Sequence, residues 1–278
     1  MLDILIAILF GLVEGITEWL PVSSTGHMIL LEEFIKFEGV SEGFFDMFDV
    51  VIQLGAIMAV VVLHWKKIFP FKITKKHAIK VEIDKDIFTL WFKILVACVP
   101  AAIVGILFDD ILEEYLFNGY VVAAMLVIFG IAFIVVENWN KGKKSRINSL
   151  AELTYQTALI IGVFQLIAAV FPGTSRSGAT IVGALLIGVS RTVAAEFTFF
   201  LAIPVMFGAS LLKLVKFGLA FTGLELAVLL IGMLVAFAVS MVVIKFLMAY
   251  IKRHDFKVFG WYRIVLGAIV LAYFVAFR

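Results

Sequence analysis

The chain has 278 residues, of which 63% are hydrophobic and 16% are charged, and its formal net charge is +2. A mean hydropathy of +1.12 excludes a soluble globular domain and indicates an integral membrane protein. The basic residues lie in short loops instead of one long stripe, which excludes nucleic acid as a partner.

Six apolar runs are each close to the roughly 20 residues that cross a bilayer as a helix. They are Phe48–Trp65, Ile87–Phe108, Gly119–Val136, Val193–Leu212, Leu224–Ile251 and Val258–Phe277. Backbone hydrogen bonds must close within a spanning segment, so all six are predicted to be helical. No linker divides the chain. We therefore predict an all-α polytopic membrane protein that forms a single integral membrane domain over residues 1–278.

Two further hydrophobic stretches are interrupted by polar residues. Residues 2–31 are broken by Glu14, Glu18, Pro21 and the run SSTGH, and residues 155–189 are broken by Pro172 and the run GTSRSG. Non-helical backbone at membrane depth is tolerated only where it is buried in protein or lines a cavity. These two stretches therefore predict two re-entrant helix–loop–helix elements.

The interrupted stretches resemble each other at an offset of 151 residues. This offset places Gly11 on Gly162, Glu14 on Gln165, Pro21 on Pro172, Ser23 on Thr174, Ser24 on Ser175 and Thr25 on Arg176. Each copy would contain one re-entrant element and three spans, giving repeat one at about 1–137 and repeat two at about 155–278. Three spans is an odd number, so the second copy must be inverted, and the two broken elements would meet near the bilayer midplane.

Loop charges predict the orientation. The segment 66–86 carries seven lysines, and the segments 137–155 and 252–257 are also basic. The positive-inside rule places these loops in the cytoplasm and both termini outside.

Glu14 and Glu18 are four residues apart and share one face of a helix. Carboxylates in a membrane segment are costly and usually face a polar cavity, bind a cation or move protons. The alternative is a helix at the interface, with both glutamates in water. Arg176 needs a nearby anion, and its guanidinium suits a phosphate group, to which Thr174, Ser175 and Ser177 could also donate. The alternative is an ion pair of Arg176 with one of the glutamates.

Ser23, Ser24, Thr25 and His27 supply a candidate nucleophile and a candidate base. A serine attacks phosphorus only if a base removes its proton and a cation stabilises the charge on the phosphoryl oxygens. A histidine next to serines is also typical of a capping or packing residue, so that interpretation stays open.

The motifs EGITE, PVSSTGH, FDVVIQLGAI, PGTSRSGAT and GVSRTVAAEFTFFLAIP, in this order, closely resemble those of the undecaprenyl-diphosphate phosphatases, also called bacitracin-resistance proteins. The resemblance runs from about residue 4 to 275. It implies hydrolysis of undecaprenyl diphosphate to the monophosphate, with release of inorganic phosphate, in the bacterial plasma membrane. It also implies a site open to the external face, a divalent cation (Mg²⁺ or Ca²⁺), recycling of the lipid carrier for cell-wall synthesis, and bacitracin resistance.

Carried over to this sequence, the resemblance implies two sets of site residues. The catalytic set is Glu14, Glu18, Ser24, His27 and Arg176, with Glu14 and Glu18 also holding the cation. The phosphate-binding set is Ser23, Thr25, Thr174, Ser175, Ser177, Thr180 and Arg191.

Together these observations give one hypothesis and one rival. In the hypothesis Ser24 attacks the terminal phosphorus, Glu18 with Glu14 holds the cation and takes the proton, and Arg176 neutralises the phosphoryl group. His27 is either a competing nucleophile or an acid–base group. The rival is a transporter or flippase of isoprenoid phosphate lipids that uses the same polar groups. The predicted partners are undecaprenyl diphosphate and membrane lipids; the oligomeric state stays open, with a homodimer as one alternative.

Overall fold

A computed structural model describes residues 1–74 and 80–277. Within these ranges the chain forms twelve helices and one antiparallel hairpin. The helices are α1 Leu2–Thr17, α2 Ser24–Phe34, α3 Phe44–Val51, α4 Gln53–Leu63, α5 Trp65–Ile68, α6 Lys85–Leu116, α7 Gly119–Asn140, α8 Tyr155–Val170, α9 Arg176–Leu186, α10 Arg191–Phe217, α11 Gly223–Tyr250 and α12 Lys257–Phe277. The strands are β1 Phe71–Thr74 and β2 Lys80–Ile83.

The helical membrane architecture is confirmed, with one addition. Six helical segments of the described residues are long and apolar enough to cross a membrane, and the first of them joins α3 and α4. The hairpin, which the sequence did not predict, lies in the basic segment 66–86, where Phe71 pairs with Ile83. Residues 75–79 of that segment lie outside the described residues. Two of the seven lysines used to predict the orientation, Lys75 and Lys76, are among them.

Both interrupted stretches form a pair of short helices. Helices α1 and α8 have 16 residues each, and α2 and α9 have 11 each. A helix of 16 residues is about 24 Å long, which is shorter than a ~30 Å hydrocarbon core. These lengths agree with the predicted re-entrant shape; the depth of the two pairs in a bilayer stays a prediction.

Two serines in the left-handed region start the second helix of each pair. Ser23 has φ 76° and Ser175 has φ 69°, and no other non-glycine residue in the described ranges has a positive φ. The hydroxyl of Ser23 accepts the Gly26 N–H, and that of Ser175 accepts the Gly178 N–H. A positive φ is unfavourable for a residue with a side chain, so the surrounding structure must hold both loops in this strained form.

These two caps correct the predicted register of the repeat by one residue. They place Ser23 on Ser175 and Gly26 on Gly178, an offset of 152. The prolines still match at 151, because the second loop has one more residue between its proline and its capped glycine. The prediction that Thr25 falls on Arg176 is therefore wrong. Ser24 and Arg176 are the matched pair, and each is the first residue of its helix.

The two predicted repeats interleave instead of lying side by side. Helix α1 packs on α11, whereas its counterpart α8 packs on α6, the counterpart of α11. The matched glycines Gly11 and Gly162 allow this close approach: a Cβ at Gly11 would lie 2.6 Å from the Gly232 carbonyl oxygen, and one at Gly162 would lie 2.4 Å from the Ala97 carbonyl oxygen. Small residues at such crossings are typical of membrane helices. The repeat boundaries themselves stay predictions.

Candidate active site between the two broken helix pairs

The side chain of Glu18 joins the two broken pairs. Ser24, at the start of α2, donates its hydroxyl proton to Glu18 Oε2 over 2.7 Å. Arg176, at the start of α9, donates from Nη2 to Glu18 Oε1 over 2.9 Å. Ser24 belongs to the first predicted repeat and Arg176 is its matched residue in the second. The one carboxylate of Glu18 therefore receives one contact from each repeat. The carboxylate is nearly buried, so this ion pair is little screened by water.

Arg176 is oriented by α10 as well as by Glu18. Its Nη1 donates to the backbone oxygen of Thr198 over 2.9 Å. Thr180 donates to the carbonyl oxygen of Arg176 and exchanges a 2.8 Å hydrogen bond with the Thr198 hydroxyl. The Nε atom of Arg176 is buried and has no acceptor among the described residues. One N–H of a fixed guanidinium is therefore available to an anionic ligand.

Glu14 is the buried carboxylate without a hydrogen-bond partner. Its side chain is 0% exposed, and neither oxygen has a donor among the described residues. It lies within electrostatic range of Glu18, Asp49 and Arg176. Gln165, at the matched position of the other repeat, is also buried with both amide atoms unpaired in the described chain. Burial of an ionised carboxylate in this way is costly unless it binds a cation or takes up a proton.

The donor set around Glu14 fits a divalent cation shared with substrate. Mg²⁺ is usually held by one or two carboxylates together with substrate phosphate oxygens, whereas Ca²⁺ takes more oxygen ligands. Glu14 and Glu18 supply two carboxylates. No cluster of three or more His, Cys, Asp or Glu side chains that could bind a metal occurs in residues 1–74 and 80–277. The residues present therefore fit a cation that takes two carboxylates from the protein and most of its other oxygen ligands from a bound phosphate group.

His27 makes its hydrogen bonds to groups other than Ser24 and Glu18. Its Nδ1 lies 2.7 Å from the Ser23 carbonyl oxygen, and its Nε2 lies 2.7 Å from the Tyr262 hydroxyl. A carbonyl only accepts, so Nδ1 carries the proton and Nε2 accepts from Tyr262. The rings of His27 and Tyr262 are also nearly parallel, at 5.7 Å. The serine hydroxyl therefore contacts a glutamate in this structure, and the histidine pairs with a tyrosine of α12.

The predicted phosphate-binding hydroxyls make different contacts. The hydroxyls of Ser23 and Ser175 cap helices, and Ser177 donates to the backbone oxygen of Glu18. Thr174 Oγ1 is buried without a partner in the described chain. The Thr180 hydroxyl donates to the backbone oxygen of Arg176. Thr25 is partly buried beside Ser24.

Among the described residues, the side-chain hydrogen bonds of Arg191 join it to Glu137 and not to Glu18, Ser24 or Arg176, and its predicted phosphate-binding role stays a prediction. Arg191 begins α10 and pairs with Glu137. Helix α9 separates it from Arg176: its 11 residues carry the chain roughly 16 Å away.

Arg263 is an unpredicted link between the two loops. It is fully buried in α12 and donates to the carbonyl oxygens of Pro21 at 3.3 Å and of Gly173 and Thr174 at 2.8 Å each. Pro21 belongs to the first loop and the other two to the second. An arginine inside an apolar span was a signal that could have identified this role.

Replacing Arg263 by Met is expected to lower the thermal stability of the protein strongly. The change leaves several buried carbonyl groups without a donor, at a cost of about 1–3 kcal/mol each. The measurement is thermal unfolding of the purified protein in detergent. Tyr262→Phe, which removes one partly exposed hydroxyl next to it, is the control and should change the melting temperature far less. Equal melting temperatures for Arg263→Met and wild type would contradict the linking role.

The chain is similar to bacterial proteins of one family over nearly its whole length. The family model for the bacitracin resistance protein BacA matches residues 7–269. The chain is 64% identical over 276 residues to undecaprenyl-diphosphatase of Desulfitobacterium hafniense, covering 99% of this chain and 98% of the relative. It is also 64% identical over 274 residues to undecaprenyl-diphosphatase 1 of Clostridium acetobutylicum, covering 99% and 98%, and 63% identical over 270 residues to undecaprenyl-diphosphatase of Enterococcus faecalis, covering 97% and 96%. This protein therefore belongs to the bacitracin resistance protein BacA family.

Proposed function

We propose that this protein hydrolyses undecaprenyl diphosphate to undecaprenyl phosphate and inorganic phosphate. This reaction returns the lipid carrier to cell-wall synthesis and gives resistance to bacitracin. The observation that carries the proposal is the 2.7 Å hydrogen bond from Ser24 Oγ to Glu18 Oε2, beside the guanidinium of Arg176. A hydroxyl, a base and a fixed cation are the groups that phosphoryl transfer to a serine requires. The family's relatives, named undecaprenyl-diphosphatase, support the choice of substrate.

The first step transfers the terminal phosphoryl group to Ser24. The Ser24 oxygen attacks the terminal phosphorus while its proton moves to Glu18 Oε2, along the existing hydrogen bond. The bond between this phosphorus and the bridging oxygen breaks, and undecaprenyl phosphate leaves with that oxygen. In the second step water attacks the phosphorus of the phosphoserine, the bond between Ser24 Oγ and phosphorus breaks, and Oγ takes back the proton from Glu18. The oxygen and both protons of the water leave with the inorganic phosphate.

Arg176 neutralises charge in both steps. It binds the same carboxylate as Ser24, so a phosphoryl group at the serine oxygen would lie next to the guanidinium. Its unpaired Nε and the Nη2 now on Glu18 are the donors that face such a group. Fixed donors of this kind stabilise the charge that spreads over the phosphoryl oxygens.

His27 is the less favoured nucleophile. Its protonated Nδ1 is held by a backbone carbonyl, and its Nε2 is occupied by Tyr262. An acid–base role for His27 remains compatible with these contacts, because Nε2 is the unprotonated nitrogen of the ring and can take up a proton.

A divalent cation, Mg²⁺ or Ca²⁺, would be held by Glu14 and Glu18, and when bound it would neutralise the diphosphate. Glu14→Gln is therefore expected to raise the Mg²⁺ concentration for half-maximal phosphate release roughly tenfold or more, since one ligand charge is lost. Phosphate release from undecaprenyl diphosphate by the purified protein, with a chelator and then with graded Mg²⁺, measures this. Glu38→Gln, on an exposed loop, is the matched control. Full activity in the presence of chelator would refute the cation requirement.

The proposed location is the bacterial plasma membrane, with the site reached from the external face. Six spanning helices support a multi-pass membrane protein. A series of acidic side chains supports the direction of access: Asp46 is exposed, Asp49 is partly buried, and Glu18 is nearly buried. Asp49 lies within electrostatic range of both of the others. Asp46 lies in the first turn of the first span, on the side where α1 begins and α2 ends, which the loop charges predict to be external.

Transport of isoprenoid phosphate lipids is the second candidate function. The interleaved packing of α1 on α11 and of α8 on α6 favours it, because inverted repeats with broken helices at their centre are a transporter plan. Transport needs no nucleophile. A Ser24→Ala protein that still moved a labelled isoprenyl phosphate across a vesicle membrane would establish transport, whatever its effect on hydrolysis.

A further inference from the structure

A basic cavity of about 300 Å³ lies at the opposite end of α9 from Arg176. It forms where α7 and α11 end, α9 ends and α10 begins. Its charged lining consists of Lys143, Lys144, Arg191, Lys252 and Glu137. None of these side chains contacts the Ser24–Glu18 pair, and the 11 residues of α9 put roughly 16 Å between the two places.

The cavity has an excess of positive charge. Four cations and one carboxylate line it, which leaves a net charge of +3. The carboxylate, Glu137, is buried and fully engaged: it accepts from Nε and Nη2 of Arg191 and from the Phe256 N–H. It therefore holds Arg191 in place and is not free to neutralise the lysines.

Several donors of the cavity point to an anionic ligand. Glu137 fixes Nε and Nη2 of Arg191, this guanidinium lines the cavity, and Asp255 is a second carboxylate within its electrostatic range. Lys143 lies over the Trp139 ring at 4.0 Å, which holds its stem at the cavity edge. The first turn of α10 also contributes, because Ser190 makes no side-chain cap and the N–H groups that open this helix need partners.

We propose that the basic cavity is a second binding site for a phosphate group, separate from the active site. An oriented guanidinium, lysines and the N-terminus of a helix are the groups that bind phosphate in proteins. The volume suits a headgroup or a small anion, since ligand cavities begin at about 300 Å³. The phosphate is either the free inorganic ion or the headgroup of a phosphate monoester lipid. This site stands independently of the proposed hydrolysis, because it uses none of the catalytic side chains.

The test removes charge from the cavity in a protein whose active site has lost its arginine. The Arg176→Gln protein, in phosphatidylcholine nanodiscs, is titrated with inorganic phosphate and separately with dodecyl phosphate. Lys144→Gln/Lys252→Gln is added to this background. The matched control is Lys141→Gln/Arg253→Gln, which removes two exposed charges from the same two loops outside the cavity.

We expect saturable binding of at least one probe in the Arg176→Gln protein. The cavity pair should weaken it roughly tenfold or more, because two close charges are lost, and the control pair by less than about twofold. Lys144→Arg/Lys252→Arg should restore binding, which separates loss of charge from loss of folding. Binding of inorganic phosphate identifies the free ion as the source, and binding of dodecyl phosphate alone identifies a lipid headgroup. No saturable binding of either probe, or equal weakening by both pairs, would overturn the proposal.

Discussion

Ser24→Ala is expected to lower phosphate release from undecaprenyl diphosphate by roughly 10³-fold or more. The change removes the oxygen that attacks phosphorus and leaves Glu18 without the proton that it accepts at 2.7 Å. Folding should be little affected, because the cap of α2 belongs to Ser23. The measurement is phosphate release at saturating substrate and Mg²⁺, with thermal unfolding of the same samples.

A matched control for Ser24→Ala lies in an exposed loop. Ser149 also donates its hydroxyl to a glutamate, Glu152, at 2.9 Å, and Ser149→Ala should keep full activity.

His27→Ala separates the two candidate nucleophiles, since it should keep measurable turnover if histidine only moves protons. An active Ser24→Ala protein, together with an inactive but folded His27→Ala protein, would transfer the nucleophilic role to His27.

Arg176→Ala is expected to reduce turnover by roughly 10²–10³-fold or more, and Arg176→Lys should recover little of it. The guanidinium contacts Glu18 with Nη2 and the Thr198 backbone oxygen with Nη1, so two fixed contacts position it at once. An ammonium group is a single point of charge and cannot reproduce this fork. The loss should fall on kcat, since charge develops mainly in the transition state.

Steady-state kinetics of phosphate release measure this loss for both Arg176 variants. Arg253→Lys, at an exposed position, is the control and should match wild type. An Arg176→Ala protein whose turnover stayed within tenfold of wild type would contradict the role assigned to the guanidinium.

The spans and the broken pairs could be predicted from the sequence for a simple reason. A bilayer requires long apolar helices, so hydropathy alone located six spans, and each prediction overlaps an observed helix. Pro21, Pro172 and the polar runs next to them marked where helices could not continue. The hairpin of Phe71–Thr74 with Lys80–Ile83 was missed, because it lies in a lysine-rich loop where no membrane constraint applies.

The site was predictable in its residue types and, as one of two alternatives, in the ion pair of Arg176 with a glutamate, which the structure forms with Glu18. Glu18, Ser24 and Arg176 were identified as unusual polar groups in apolar surroundings, yet their meeting depends on how α1 and α9 pack. The register was wrong by one residue because the prolines matched while the caps did not, and only backbone angles distinguish the two alignments. The pairing of Arg191 with Glu137 could not be foreseen, because the position of Arg191 along the chain says nothing about the direction of α9.

Supporting groups were the hardest to foresee. Thr198 acts through a backbone oxygen, which carries no sequence signature. Tyr262 reaches His27 from 235 positions away in the chain. Arg263 was visible as a charge in an apolar span, but its carbonyl partners could not be known before the loops were placed.

The interleaving of the repeats has a consequence for how such a protein could arise. Because α1 rests on α11, and α8 on α6, each half of the chain covers the close-packing glycine of the other half. A chain with one repeat alone would expose that glycine face and would have either the carboxylate or the arginine, never both. Two identical copies inserted in opposite directions would cover both glycine faces, but they would bring together two carboxylates or two arginines and not the pair seen here. Duplication followed by fusion would then have freed one copy to keep Glu18 while the other acquired Arg176.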